Sequence, residues 1–166
     1  MSDGVFDPAR AFAVLRSHGV RFVVIGGIAA RLHGSPSITR DLDICYARDS
    51  ANLDALAAAL RAIHATLRGA PPGLSFKLDA RTLKLGDSFT FSTDAGDLDC
   101  LGVPSGTGGF EGLAGAAVVM DIGAQRVPVA SLDDLIAMKR ASGRPKDLIE
   151  LEVLGALRDE IDEQQN

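Results

Sequence analysis

Only two of the 166 residues are cysteine, Cys45 and Cys100. That is too few for a disulfide-stapled scaffold. No apolar run approaches the about 20 residues that a helix needs to cross a bilayer. The first residues, Met1–Ser2–Asp3–Gly4, lack the basic start of a signal peptide. Basic residues are also short, with 17 Lys plus Arg against 22 Asp plus Glu, a formal net charge of −5. A protein that coats nucleic acid gains its affinity by neutralising phosphates, and this balance argues against one. A nucleotide, or one folded RNA, held through metal ions and a local basic patch is still compatible with it. The expectation is a cytoplasmic protein with no membrane partner. Apolar residues are plentiful at 46%, which supplies a buried core and excludes global disorder. The length suits one domain, 1–166.

Eighteen glycines and seven prolines fall mostly between periodic segments. Asp7–Pro8 reads as the cap and first position of a helix ending at His18. Phe22–Val23–Val24–Ile25 has the pattern of a strand buried on both faces. Gly26–Gly27 follows, then a short helix from Ile28 to His33 and a second strand from Asp41 to Tyr46. Ser50 is expected to cap a long helix with Leu53, Leu56, Leu60, Ile63 and Leu67 on one face. After a break at 69–73 come two hairpins, Ser88–Ser92 with Asp97–Leu101 and Val118–Ile122 with Arg126–Val129. Ser131 opens a helix that Gly143 stops, and Pro145 starts a last helix running to about Ile161. The expected class is therefore α/β (α+β): a mixed twisted sheet flanked by helices. Its core covers about 20–129, and a C-terminal helical hairpin covers about 131–161.

Thr39–Arg40–Asp41–Leu42–Asp43–Ile44 is the most informative stretch. Side chains alternate along a strand, so Asp41 and Asp43 share a face about 7 Å apart. Leu42, Ile44 and Tyr46 take the other face. Two carboxylates on an otherwise apolar strand, with no evident basic partner on that face, repel one another and resist burial. A divalent cation resolves the conflict, and Mg²⁺ suits a few carboxylates together with substrate phosphates. Asp97–Leu98–Asp99–Cys100 repeats the pattern. If the two strands are aligned neighbours, Asp41, Asp43 and Asp99 form a cluster suited to two metal ions roughly 3.5–4 Å apart. Cys45 then shares the side of Asp43 and Cys100 lies opposite Asp99, so no disulfide is expected.

Gly26–Gly27 lies at a strand-to-helix junction, where unpaired backbone N–H groups favour an anion and missing side chains let phosphate approach. It is not a dinucleotide fingerprint, and Gly106–Thr107–Gly108–Gly109 is not a P-loop. Gly26–Gly27–Ile28–Ala29, His33–Gly34 and Thr39–Arg40–Asp41–Leu42–Asp43, taken in order, resemble the signature of the DNA polymerase β-like nucleotidyltransferase superfamily. The resemblance is strongest to small nucleotidyltransferases grouped with AbiEii-type toxins and their minimal relatives. Lys139–Arg140–Ala141 and Arg144–Pro145–Lys146–Asp147 are similar to a further segment of that family. The chain departs from the pattern at Ser37, where relatives often carry a basic residue, and Arg40 or Arg31 is the substitute charge on offer.

The resemblance implies a nucleotidyltransferase-type fold and transfer of a nucleoside monophosphate from an NTP to an acceptor. The acceptor class is RNA such as tRNA, protein or a small molecule. Asp41, Asp43 and Asp99 are the implied catalytic residues and ligands of two Mg²⁺ ions, with Mn²⁺ as the substitute metal. Gly26, Gly27, Thr39, Arg40, Lys139, Arg144 and Lys146 are the implied nucleotide-binding set. A toxin–antitoxin role with a cognate partner protein comes with the same resemblance. The alternative is an inactive fold that binds nucleotide or a partner, as an antitoxin would.

Helical spacing puts Lys139 on the apolar face of Leu132, Leu135 and Ile136. Two readings stand for it: a snorkelling side chain, or a phosphate contact at the edge of the carboxylate cleft. Lys146–Asp147 reads either as a structural pair or as part of the site. His33 either caps its helix or edges the site, His18 is read as surface, and His64 as a histidine of the core or its edge.

Overall fold

Phe22–Ile25 is apolar at every position because it is buried at every position. In a computed structural model describing residues 5–165, it lies inside a seven-stranded sheet. The N-terminal residues Met1–Gly4, read above for a signal sequence, lie outside the described residues. In chain order the elements are α1 (Pro8–Ser17), β1 (Phe22–Ile25), α2 (Gly26–Leu32), β2 (Asp41–Tyr46), α3 (Ser50–Ala62), β3 (Thr66–Leu67) and α4 (Ala80–Leu85). Then follow β4 (Ser88–Thr93), β5 (Gly96–Leu101), α5 (Gly109–Ala116), β6 (Val118–Ile122), β7 (Gln125–Val129), α6 (Leu132–Ser142) and α7 (Pro145–Gln165).

The sheet order is β3-β4-β5-β2-β1-β7-β6. β2 is antiparallel to β1 and parallel to β5, and β1 is parallel to β7. This is the mixed α/β sheet expected from the sequence. The two expected hairpins are present as β4–β5 and β6–β7. Among the described residues, no helix is long and apolar enough to cross a membrane.

The local signals act as read at several helix ends. Asp7 accepts a hydrogen bond from the backbone N–H of Arg10 at 3.1 Å, and Ser131 accepts one from that of Asp134, also at 3.1 Å. Gly143, at φ 62°, closes α6 in the left-handed conformation.

Elsewhere tertiary pairing overrides the pattern. The cap of α3 is Asp49, not Ser50, because the Asp49 carboxylate accepts from the N–H of Asn52 at 3.2 Å. That helix stops at Ala62 although apolar spacing continues to Leu67. Thr66 and Leu67 instead pair with Ser92 and Phe91 as the edge strand β3. His64 sits in the connection with φ 53°, exposed and bonded to Asp94, so it is not a core histidine. The short helix begins at Gly26 itself rather than at Ile28. α4 and α5 carry no periodic signature long enough to announce them.

Asn52 is buried and joins three segments. Its side chain accepts from the Arg21 N–H at 2.7 Å and donates to the carbonyls of Arg21 at 3.1 Å and Ala47 at 2.7 Å. It therefore ties the start of β1 and the end of β2 to α3. Asn52→Ala strands these buried backbone groups and is expected to lower unfolding free energy by about 1–3 kcal/mol, measured by urea denaturation.

Candidate active site

The parallel pairing of β2 with β5 sets Asp41 beside Asp97 and Asp43 beside Asp99. Paired residues of adjacent strands point to the same face, so four carboxylates share one wall. The intervening pairs, Leu42 with Leu98 and Ile44 with Cys100, are buried on the opposite face. That burial locks the register, since a one-residue slip would bury the acids and expose the core. Cys45 and Cys100 are both free and buried, as expected.

A cleft of about 510 Å³ opens on this wall. It is lined by Asp41, Asp43 and Asp99, by Gly26, Gly27 and Thr39, and by Lys139, Arg144 and Lys146. Gly26 has φ 68°, and a Cβ there would lie 2.7 Å from the Asp43 Cγ. A Cβ on Gly27 would lie 2.8 Å from the Thr39 side chain. Both glycines are thus required by close packing against the acidic strand and the turn before it. Thr39 Oγ1 in turn bonds the backbone of Asp41, accepting from its N–H at 3.4 Å.

The one expected nucleotide-binding residue not brought to the cleft is Arg40, which is exposed and does not line it. Arg31, the other substitute for a basic residue at Ser37, does not line the cleft but reaches Ser37 with its side chain. Its guanidinium donates to the Ser37 carbonyl at 3.0 Å and so holds the turn. His33 bonds the Ala130 carbonyl at 2.8 Å through Nε2, a structural role linking α2 to the end of β7.

The far wall is the α6–α7 junction. Asp147 is fully buried, and Lys139 Nζ lies 3.2 Å from its Oδ1. Arg144 Nε donates to Oδ2 at 2.8 Å, and Ser142 donates its hydroxyl to the same oxygen. Burial alone would raise the Asp147 pKa. The bonds from Ser142, Arg144 and Lys139 outweigh it and hold the carboxyl well below the usual range. Asp147 is therefore the anchor of the basic segment, and its partners are Lys139 and Arg144 rather than Lys146. Lys146 is exposed at the cleft margin.

Sequence reasoning missed Arg68. Its backbone N–H donates to the Thr90 carbonyl at 2.9 Å, which extends the β3–β4 ladder by one residue. Thr90 is paired with Asp99, so Arg68, Thr90, Asp99 and Asp43 lie in one row across the sheet. The Arg68 guanidinium donates to Asp99, and its Nη1 lies 3.0 Å from Asp97 and 3.9 Å from Asp41. This is the basic partner that the strand pattern lacked. The only local hint was period-two spacing over a segment that reads more strongly as a helix end.

Asp43 is the stressed member of the wall. Burial, then the charge of Asp99, a hydrogen bond shared with Asp99 and the charge of Asp41 push its pKa up to about 7, against a smaller lowering by Lys139. Among the described residues, no three His, Cys, Asp or Glu side chains are gathered closely enough to chelate an ion as they stand. The donor chemistry nevertheless fits Mg²⁺. The oxygens are hard, and Asp43 and Asp99 share a proton that a divalent cation would replace.

An Asp43 carboxyl that holds a proton up to about pH 7 when folded, but releases it near 3.8 when unfolded, makes native stability fall as pH rises between those values. In divalent-free buffer, Asp43→Asn is expected to melt above wild type at pH 8, with the gap narrowing toward pH 5. Thermal melts at the two pH values check this, and a gap that widens toward acid contradicts it.

No protein-family model matches this chain, and no curated protein matches it in sequence. Solved structures do match. A candidate nucleotidyltransferase of Thermotoga maritima is 16% identical with a TM-score of 0.51, over 94% of this chain and 91% of that one. The lincosamide antibiotic adenylyltransferase LnuA, bound to lincomycin, is 12% identical with a TM-score of 0.60, over 93% and 99%. ANT(2″)-Ia, in complex with adenylyl-2″-tobramycin, is 13% identical with a TM-score of 0.55, over 96% and 97%. The match spans nearly the whole of each chain at very low identity. This protein therefore has the nucleotidyltransferase fold.

Proposed function

We propose that the protein is a metal-dependent nucleotidyltransferase that moves a nucleoside monophosphate from an NTP to an acceptor hydroxyl. The observation that carries this reading is a single cleft with a carboxylate wall on β2 and β5, a basic wall at the α6–α7 junction, and side-chain-free backbone at Gly26–Gly27 between them. Asp41, Asp43 and Asp99 would hold the two Mg²⁺ ions, or Mn²⁺ in their place. Bound divalent ions supply positive charge to the phosphoryl oxygens during displacement.

The chain's own residues do the rest by position and charge. Lys139, held by Asp147, together with Arg144 and Lys146, faces the triphosphate. Gly26 and Gly27 let it approach the backbone, and Thr39 keeps the preceding turn in place. The acceptor oxygen forms a bond to the α-phosphorus, the bond to pyrophosphate breaks, and the hydroxyl proton passes to Asp99. Arg40 has no part in this scheme. The acceptor is an RNA, a protein or a small molecule, and an RNA acceptor would suit a toxin of a toxin–antitoxin pair. Lincomycin and tobramycin chemistry in the structural neighbours makes hydroxylated small molecules the first to try.

The test is transfer of label from α-labelled NTPs with Mg²⁺ to lincomycin, tobramycin, total tRNA and the protein itself. Wild type is expected to label one of these, and Asp43→Ala to lose about 100-fold or more of that rate. Equal labelling by the two proteins would sink the proposal. NTP binding that ignores Mg²⁺, with no transfer, would point instead to a binding module.

A further inference from the structure

We propose that Arg68 is a resident counter-cation that competes with divalent metal for Asp99, so that the metal-free protein is a latched form of the site. The inference rests on the metal-dependent reading above and goes beyond it, because nothing in that reading needs an arginine on the acidic wall.

The geometry distinguishes this contact from an ordinary surface ion pair. One guanidinium reaches Asp41, Asp97 and Asp99 from the same side. An arginine that only oriented a metal ligand would sit behind one carboxylate and leave the others open. Arg68 instead bridges Asp97 and Asp99, with Asp41 3.9 Å from the same guanidinium nitrogen that meets Asp97. Among the described residues it is the one cationic side chain within 4.0 Å of any of these three carboxylates. Lys139, on the far wall, is committed to Asp147. Among the described residues, the acids as they stand are not gathered into a chelating group.

The backbone also supports a displaceable latch. Arg68 directly follows β3, a two-residue strand at the edge of the sheet, and is itself followed by Gly69. Its side chain is 29% exposed, so the guanidinium can leave the carboxylates without disturbing the core. The facing pair Asp43–Asp99, by contrast, is fixed by the central strands β2 and β5. A metal held by Asp99 would therefore share that carboxylate with Arg68, and binding of one would weaken the other by the same factor.

The experiment is Mn²⁺ binding to the full chain, followed by electron paramagnetic resonance of the free ion, with no nucleotide present. Arg68→Gln is expected to bind Mn²⁺ about tenfold more tightly than wild type. Its melting temperature should rise more on Mn²⁺ addition. Asp43→Asn is run alongside as the variant that loses the site. Equal or weaker binding by Arg68→Gln overturns the latch, and leaves the metal reading intact if wild type binds and Asp43→Asn does not. Absence of Mn²⁺ binding in both wild type and Arg68→Gln overturns the latch and the metal reading together. If Arg68→Gln does not fold, Arg68→Met, which keeps the alkyl stem but loses the charge, must still bind more tightly than wild type, or the latch is wrong.

Discussion

The site depends on one constraint, the register of two parallel strands. β2 and β5 pair so that Asp43 meets Asp99 and Asp41 meets Asp97. Like charges side by side on adjacent strands are unfavourable, and nothing local to either strand relieves them. The other face supplies the energy that holds the register. Leu42, Ile44, Leu98 and Cys100 are all at most 1% exposed there. Hydrophobic burial on one side of the sheet thus forces electrostatic conflict on the other.

Much of the surrounding structure answers that conflict. Gly26 leaves out a side chain where one would collide with Asp43. Arg68 brings one positive charge from the sheet edge, and Lys139 brings another from the opposite wall, where it lowers the Asp43 pKa. The basic wall has its own anchor, because a buried carboxylate is tolerable only when fully paired. Asp147 meets this condition with Lys139, Arg144 and Ser142. Removing the anchor would free the cations but also leave them without a fixed direction. Two opposed charged walls, each stabilised internally, leave a cleft whose chemistry suits a polyanion with metal.

Legibility in the sequence followed the range of the physics. β1 is a continuous apolar run, β2 and both hairpins are local strand patterns bounded by turn residues, and their positions agree with the sequence to within a residue or two. The caps at Asp7 and Ser131 are likewise contacts over three residues. The end of α3 was not legible. Leu60, Ile63 and Leu67 continue a helical stripe, yet Leu67 belongs to β3, whose partner Phe91 is far along the chain. The place of His64 on the stripe vanishes for the same reason, because the helix stops before it. Arg68 reaches the acidic wall only because the chain leaves the helix and pairs with β4.

The sequence by itself determined which residues could form the acidic wall, because alternation along a strand is a local rule. Asp41 with Asp43, and Asp97 with Asp99, had to share faces in any fold that made those segments strands. It also determined the glycine pair before the wall and the basic run after it. Only the tertiary structure decided that the two acidic strands are neighbours and in phase. It alone turned Lys139 toward the cleft, left Arg40 outside it, and carried Arg68 across Thr90 to Asp99. Those outcomes depend on pairings between distant segments, whose register is set by the summed burial of the whole core and not by any one stretch of chain.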